Sequence, residues 1–153
     1  MMTYTNAEAR QQLLDDLARA ADVLGLALAC LGAAYEQLDE HTGEQLERSL
    51  FGPVQVAYGR AQRTHSEFAR RYGLPRRAFE QQSPGVESQG PRELIQRAGD
   101  AAAEADHAIA ELQDSMLPVE VGDPEVRAGL TEVRELISEV PMRARALVRT
   151  VGR

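Results

Sequence analysis

The sequence predicts an all-α protein that folds as an antiparallel up-and-down four-helix bundle. Four segments carry apolar residues at alternating steps of three and four, which is the pattern of a helix with one buried face. Aromatic residues are only 5% and tryptophan is absent, whereas alanine is abundant, a composition that favours closely packed helices. At 153 residues the chain has the size of one domain, and we expect a single domain over residues 1–153.

The first helix is predicted over residues 6–41. Thr5 followed by Glu8 has the pattern of a capping box at its start. We expect the helix to end near His41, before the turn in HTGEQ, and a helix that continues to Leu50 is the alternative. Its apolar line consists of Leu14, Leu17, Ala21, Leu24, Leu28, Leu31, Tyr35 and Leu38.

The second helix is predicted over residues 43–72 and stops at YGLP, where glycine and proline end a helix. Its inner line is Leu50, Val54, Ala57, Ala61, Thr64 and Phe68. Residues 74–90, LPRRAFEQQSPGVESQG, show no sustained periodicity and are predicted as a long exposed loop. Loops of that length are uncommon in compact domains unless they are mobile or functional.

The third helix is predicted over residues 91–117, and its buried line is mostly alanine, so a neighbouring helix can come close. The fourth is predicted over residues 124–151, with Asp123 as N-cap and Pro124 at the first helical position. Its apolar line is Val126, Leu130, Val133, Ile137, Val140, Ala144, Leu147 and Val151.

Aromatic and imidazole side chains recur every seven residues along the second helix, at Phe51, Tyr58, His65 and Tyr72. They flank the buried line of that helix, so packing inside the bundle is one interpretation of the ladder. If the helices separate at this point, the same groups would line a cleft. The second interpretation is therefore a ligand pocket beside Tyr58, His65 and Tyr72.

A strip of small residues follows the outer side of the first helix, at Gly25, Ala29, Gly32 and Ala33. The surrounding stretch, residues 23–35, contains no charge on any side. An exposed helix would carry charges there, so another surface must cover the strip. We expect the strip to be the interface of a homodimer, and coverage by another part of the same chain is the alternative.

The arginines concentrate at one end if the helices alternate in direction. That end holds 14 of the 17 arginines, whereas the opposite end has an excess of aspartate and glutamate. Guanidinium groups pair with carboxylate or phosphate, so Arg70, Arg71, Arg76 and Arg77 are predicted to bind an anion or an acidic protein surface. The formal net charge of −7 counts against binding to nucleic acid.

The sequence contains no complete catalytic or metal-binding motif. Glu104 and His107 have the Glu-x-x-His spacing of carboxylate metal sites, but the buried line of their helix turns both outward. Cys30, the single cysteine, lies in the apolar stretch LALACLGAA, which is typical of a buried thiol. We therefore predict no catalytic residues, no metal and no cofactor.

These observations predict a non-enzymatic helical interaction or adaptor module, dimeric, that uses its charged ends or the loop over residues 74–90 to engage a protein partner with an acidic surface. The first alternative is a small-ligand-binding or regulatory bundle, and the second is nucleic-acid binding through the arginine-rich end. The N-terminus lacks the basic-then-apolar layout of a signal peptide, and the longest uncharged stretch is too short for a membrane helix. We expect a cytoplasmic location without membrane contact.

Overall fold

The structure, a computed structural model, describes residues 5–85 and 89–151, and these are all-helical with no strand. The predicted all-α class is confirmed. Three residues of the predicted loop, 86–88, and both ends of the predicted domain lie outside the described part. The elements are α1 (Asn6–Tyr35), α2 (Glu40–Leu46), a π-helical turn (Glu47–Phe51), α3 (Gly52–Arg71), α4 (Pro91–Asp114), α5 (Leu117–Glu120), α6 (Pro124–Ile137) and α7 (Val140–Thr150).

Two predicted helix starts carry the side-chain caps that the sequence indicates. The Thr5 hydroxyl accepts a hydrogen bond from the backbone N–H of Glu8 at 3.1 Å. The Asp123 carboxylate accepts one from the backbone N–H of Val126 at 2.8 Å. Each cap satisfies a backbone donor that the first turn of a helix leaves without a partner, and so defines where the helix begins.

Helix α1 ends earlier than the sequence predicts. Its last residue is Tyr35, and the next helix is capped by Asp39, whose carboxylate accepts from the N–H of Thr42 at 2.8 Å. The predicted end near His41 is therefore wrong, and so is the alternative of a helix continuing to Leu50. The aspartate competes for backbone N–H groups and starts a new helix where apolar periodicity alone shows no interruption.

The other three predicted helices are subdivided. The second consists of α2, the π-helical turn and α3 in direct succession. The third ends at Asp114, and the short helix α5 follows. The fourth is broken between α6 and α7, where Pro141, the second residue of α7, has no N–H to continue the hydrogen-bond pattern of α6.

Helix α1, the longest helix of the described chain, contributes a large part of the core. It packs against α4 on one side and α3 on another, while α6 packs on α3 and α7 on α4. By length and composition α1 could cross a membrane, but 56% of its most apolar stretch is buried inside the protein. Its fully buried side chains include Leu13, Leu14, Leu17, Leu24 and Leu31.

Helices α3 and α4 run in the same direction. Arg10, near the start of α1, lies over the ring of Tyr72 just after α3, at 4.1 Å, so α1 and α3 are antiparallel. The end of α1 meets the start of α4, because the Gln37 side chain donates to the carbonyl oxygen of Gln89 at 3.0 Å. Arg10 also donates to the carbonyl oxygen of Val121, beyond α4, at 2.9 Å. The predicted up-and-down order is therefore wrong, and the chain returns along the length of the molecule between the end of α3 and the start of α4.

This change of direction redistributes the arginines. Arg70 and Arg71 end α3 beside the start of α1, whereas α4 begins with Arg92 and Arg97 at the opposite end. Helix α7 also lies at that opposite end, where Arg143 donates to the carbonyl oxygen of Ser49. The predicted convergence of arginines at one end, and the acidic end opposite to it, therefore do not form.

A close approach between α3 and α6 depends on Gly129. A methyl group at this position would lie 2.7 Å from the Thr64 Cγ2 atom and closer still to its hydroxyl oxygen. That hydroxyl is held in place because it donates to the carbonyl oxygen of Arg60 at 2.7 Å. The contact leaves no room for a side chain, so the glycine fixes the spacing between the two helices.

We expect Gly129→Ala to lower the free energy of unfolding by about 1–3 kcal/mol, because Thr64 must leave its position or the helices must separate. Gly59→Ala is the matched control, since a methyl group there would meet nothing within 4 Å. That control should raise stability by up to about 1 kcal/mol through helix propensity. Urea denaturation of both variants measures the difference, and equal effects would contradict the proposed contact.

Candidate functional site

The connection after α3 is not a free loop but is packed across α1 and α3, and we call residues 74–85 the strap. Leu74 and Phe79 are half-buried and pack against the core. Arg77 forms an ion pair with Asp22 of α1 at 2.8 Å. The ring of Phe79 meets the imidazole of His65 edge-on, with centroids 5.4 Å apart. The predicted exposed loop is thus exposed along its outer side and anchored along its inner side.

The far end of the strap is held by α4. Arg97 donates to the carbonyl oxygen of Pro84, and it also donates to the side-chain oxygen of Gln89 at 2.6 Å. Gln89 is in turn bonded to Gln37 after α1. Side-chain hydrogen bonds to the Pro84 carbonyl oxygen thus fix this end of the strap, in place of the missing secondary structure.

A groove of about 550 Å³ opens between α1, the π-helical turn, α3 and the strap. A hollow of about 340 Å³ adjoins it and shares Gly32, Glu36 and Phe51 with it. We use "the groove" for both together. Its walls are Leu28, Ala29, Gly32, Ala33, Tyr35, Glu36, Glu47, Phe51, Tyr58, Gln62, Phe79, Gln81, Gln82 and Pro84.

The floor of the groove is the strip of small residues that the sequence singled out. Gly25 is buried, and a methyl group on it would lie 3.3 Å from the ring of Tyr58 and 3.4 Å from Gln82. By contrast, a methyl group on Gly32 would meet nothing within 4 Å. One end of the strip is therefore covered by the same chain, as in the alternative interpretation. Ala29, Gly32 and Ala33 remain as an open floor.

Aromatic side chains form the walls. Phe51 is the last residue of the π-helical turn, and such turns often occur at functional sites because they change the direction of side chains. The ring of Tyr35 lies over Gly43 of α2, where a methyl group would be only 3.2 Å from it. Gly43 therefore accommodates an aromatic ring and does not form the turn that HTGEQ suggested.

The predicted pocket residues do not share one site. Tyr58 lines the groove, but His65 is buried beneath Phe79. Tyr72 packs against Phe68 at 4.7 Å between ring centroids, at the far end of α3. The ladder is thus divided: Phe51 and Tyr58 line the groove, His65 is buried, and Tyr72 is half-buried against the core.

The four predicted arginine contacts also divide into two pairs. Arg71 binds Asp123 through two hydrogen bonds, at 2.7 and 3.0 Å, and Arg77 binds Asp22. Arg70 and Arg76 are exposed, with no ion pair to any other described residue. Arg71 and Arg77 therefore connect parts of the fold, and only the other two are available to an external anion.

Asp123 is the most buried carboxylate of the described chain at 9% exposure. Burial alone would raise the pKa of Asp123, but the hydrogen bonds from Arg71 and from the N–H of Val126 outweigh it and lower the pKa below its ordinary value. The carboxylate is therefore charged at neutral pH while it caps α6 and binds α3.

The remaining residues considered as metal ligands or nucleophiles, Glu104, His107 and Cys30, do not line the groove. Glu104 and His107 are both exposed, as the helical pattern predicts, and His107 pairs with Glu111 at 3.0 Å. Cys30 is fully buried, and burial raises the pKa of its thiol against the opposing effect of Arg97. Within residues 5–85 and 89–151, no three potential metal ligands come together.

Sequence reasoning predicted partner contacts in the loop at Arg76 and Arg77, but it missed Glu36, Glu47, Gln62 and the strap residues that line the groove. Glu36 and Glu47 read as ordinary exposed charges, because only the folded chain shows that they border the groove. A signal did exist for Phe79, which is a single aromatic residue within the polar stretch RRAFEQQ. An isolated aromatic side chain in a polar loop indicates that the loop packs on the protein.

No known family model matches the chain, and comparisons with curated proteins and with solved structures find no match.

We expect stability to fall as the pH is lowered from about 7 to about 5. Burial is the main reason that the pKa of His65 is lowered, Arg77 adds to the effect and Asp15 opposes it. The unfolded chain binds a proton below an ordinary histidine pKa of about 6.5, whereas the folded protein resists protonation. Acidification thus favours unfolding until the lowered folded pKa is reached.

Urea denaturation at a series of pH values measures this dependence. His65→Gln should flatten the slope over that window, whereas His107→Gln, at an exposed position, should leave it unchanged. A slope that survives unaltered in His65→Gln would show that another group is responsible.

Proposed function

We propose that the protein is a non-enzymatic, small-ligand-binding helical module whose site is the groove. The observation that carries the proposal is the cavity of about 550 Å³ between α1, the π-helical turn, α3 and the strap. Small-molecule sites are usually concave, of about 300–1,000 Å³, and lined by apolar and aromatic groups with a few polar ones. The groove fits each part of that description.

The arrangement of charges favours this function over an adaptor that acts through its arginines. Arg71 and Arg77 are occupied by Asp123 and Asp22. The arginines of α4 and α7 lie at the other end, so nucleic-acid binding through one basic end is not supported. Glutamine amides, carboxylates and rings bind and orient a ligand, and we assign no reaction to them.

We also propose that the chain forms a single four-helix bundle in the cytoplasm. The first helix of the bundle would be α1, the second would be α2 together with α3, the third α4, and the fourth α6 together with α7. Each of these four would be antiparallel to both of its neighbours. Support for the bundle comes from the contacts of α1 with α3 and α4, of α3 with α6, and of α4 with α7. Support for the location comes from the burial of α1 and from the single, buried Cys30.

We expect the neutral dye Nile red to bind in the groove with increased fluorescence, and Gly32→Leu to weaken that binding by about tenfold or more. Leucine would fill the open space above the floor, and it is a better helix former than glycine. Gly59→Leu is the control, because position 59 is also open but does not line the groove.

Fluorescence titration gives the dissociation constants, and circular dichroism checks that both variants are folded. Equal binding by the wild-type protein and both variants would place the dye elsewhere. Failure of the wild-type protein to bind it at all would remove the support for an apolar ligand site.

A second candidate function is self-association through the floor of the groove. Ala29, Gly32 and Ala33 are only half-buried, and Tyr35 beside them is 46% exposed, so a helix from a second copy could cover them. Such a dimer would be an interaction module, with Arg70 and Arg76 left to contact an acidic partner.

For this candidate we expect a dimer in analytical ultracentrifugation and a monomer for Gly32→Arg, since a charge would then lie in the interface. Helicity should be unchanged in the variant. A wild-type protein that sediments as a monomer at about 50 μM, a concentration that populates most specific dimers, would rule out this candidate.

A further inference from the structure

We infer that the groove binds a flat organic cation, such as an aromatic compound with an ammonium or iminium group. The inference rests on the proposed function, because it names the ligand class of the same site. It follows from the kind of side chains that line the groove, from the lack of partners for two of them, and from the positions of the neighbouring arginines.

The lining of the groove contains negative charge and aromatic rings but no basic residue. Four rings contribute, and two glutamates lie at one end of the groove. Three glutamines add amide groups, and no arginine or histidine lines the described groove. Lysine is absent from the whole chain. The rings are Tyr35, Phe51, Tyr58 and Phe79, and the carboxylates are Glu36 and Glu47.

The two carboxylates have no partners within the described chain. By contrast, Asp123 forms an ion pair with Arg71, and Glu132 forms one with Arg60 at 2.6 Å. Glu36 and Glu47 form no ion pair and accept no side-chain hydrogen bond from another described residue. Their charges are therefore available to a bound molecule.

Two arginines, Arg77 and Arg97, are held by partners in and beside the strap. Arg77 pairs with Asp22 and lies 4.9 Å from the centre of the Phe79 ring, so it occupies one face of that ring. Arg97 is bonded to Pro84 and Gln89. Tyr35, Phe51 and Tyr58 keep their faces free of any described cation, and neither arginine reaches Glu36 or Glu47.

A cation gains from both kinds of wall. Ring faces attract a positive charge through their quadrupole, and carboxylates attract it by Coulomb interaction that salt weakens. An anion would be repelled by both groups, and a neutral compound would gain only the apolar contact. The open space above Gly32 gives a flat ring system room to lie on the floor beside the aromatic walls.

Nile blue and Nile red provide a matched test, because they share one fused-ring skeleton and differ in charge. Nile blue is a cation at pH 7, and Nile red is neutral. We expect the purified full chain to bind Nile blue about tenfold more tightly than Nile red at low salt. The preference should shrink in 0.5 M NaCl, at which exposed charges are screened within about 5 Å.

The double variant Glu36→Gln with Glu47→Gln should reduce the preference to about twofold or less, because it weakens Nile blue binding more than Nile red binding. Its control is Glu40→Gln with Glu44→Gln, which removes the same charge from exposed positions of α2 outside the groove. That control should keep the preference, so it separates a local effect from the net charge of −7.

The possible results distinguish failure of the cation inference from failure of the proposed ligand-binding function. Equal affinity for both dyes would overturn the cation inference and leave the ligand-binding groove in place. An equal loss of preference in both double variants would also overturn it, since net charge would then explain the difference. Failure of the protein to bind either dye would overturn the proposed function together with the inference.

Discussion

The burial of α1 is the constraint on which the other features of this structure depend. Between Asp22 and Glu36 the helix carries no charge on any side, so contact with water is unfavourable around its whole circumference. One helix can cover only part of such a surface. Helix α3 covers one side and α4 another, and near Gly25 the surface is covered jointly by Tyr58 of α3 and Gln82 of the strap.

The direction of α4 determines the course of the strap. Since α4 starts beside the end of α1, the chain must travel the length of the molecule after α3, and the strap is the segment that does so. Its polar composition suits a surface segment, while Phe79 and Leu74 hold it to the core. An up-and-down bundle would need only a short turn between α3 and α4. The observed order of helices requires a connection that spans the length of the molecule.

The groove is the place where the coverage of α1 is incomplete. The strap closes over Gly25 but not over Gly32, and the π-helical turn sets Phe51 at the edge of the gap. An incomplete cover with aromatic walls and free carboxylates is a cost to stability, because apolar surface stays in contact with water. Such exceptions to good packing commonly mark functional sites, which is why the groove carries the proposed function.

The incomplete cover of α1 also explains why the residues of the aromatic ladder lie in different environments. Its members share one edge of the second predicted helix, beside the buried line of that helix. Tyr58 and Phe51 meet the gap, whereas His65 meets Phe79 of the strap and is sealed in the interior. Which neighbour each residue met depended on a segment that has no periodic pattern of its own.

The sequence by itself determined the all-α class, most of the buried faces of the helices and the caps at Thr5 and Asp123, because periodicity and capping are local properties of a chain. Tyr35, which the periodicity places on the apolar line of the first helix, is instead 46% exposed at the groove. Only the tertiary structure decided the direction of α4, the course of the strap, the pairing of Arg71 and Arg77, and the position of Glu36 and Glu47 beside the groove. Apolar burial is not directional, so a helix seam shows which face is covered but not by which neighbour or in which orientation. The charge layout and the candidate site depend on that orientation, and for this reason they emerged only from the folded chain.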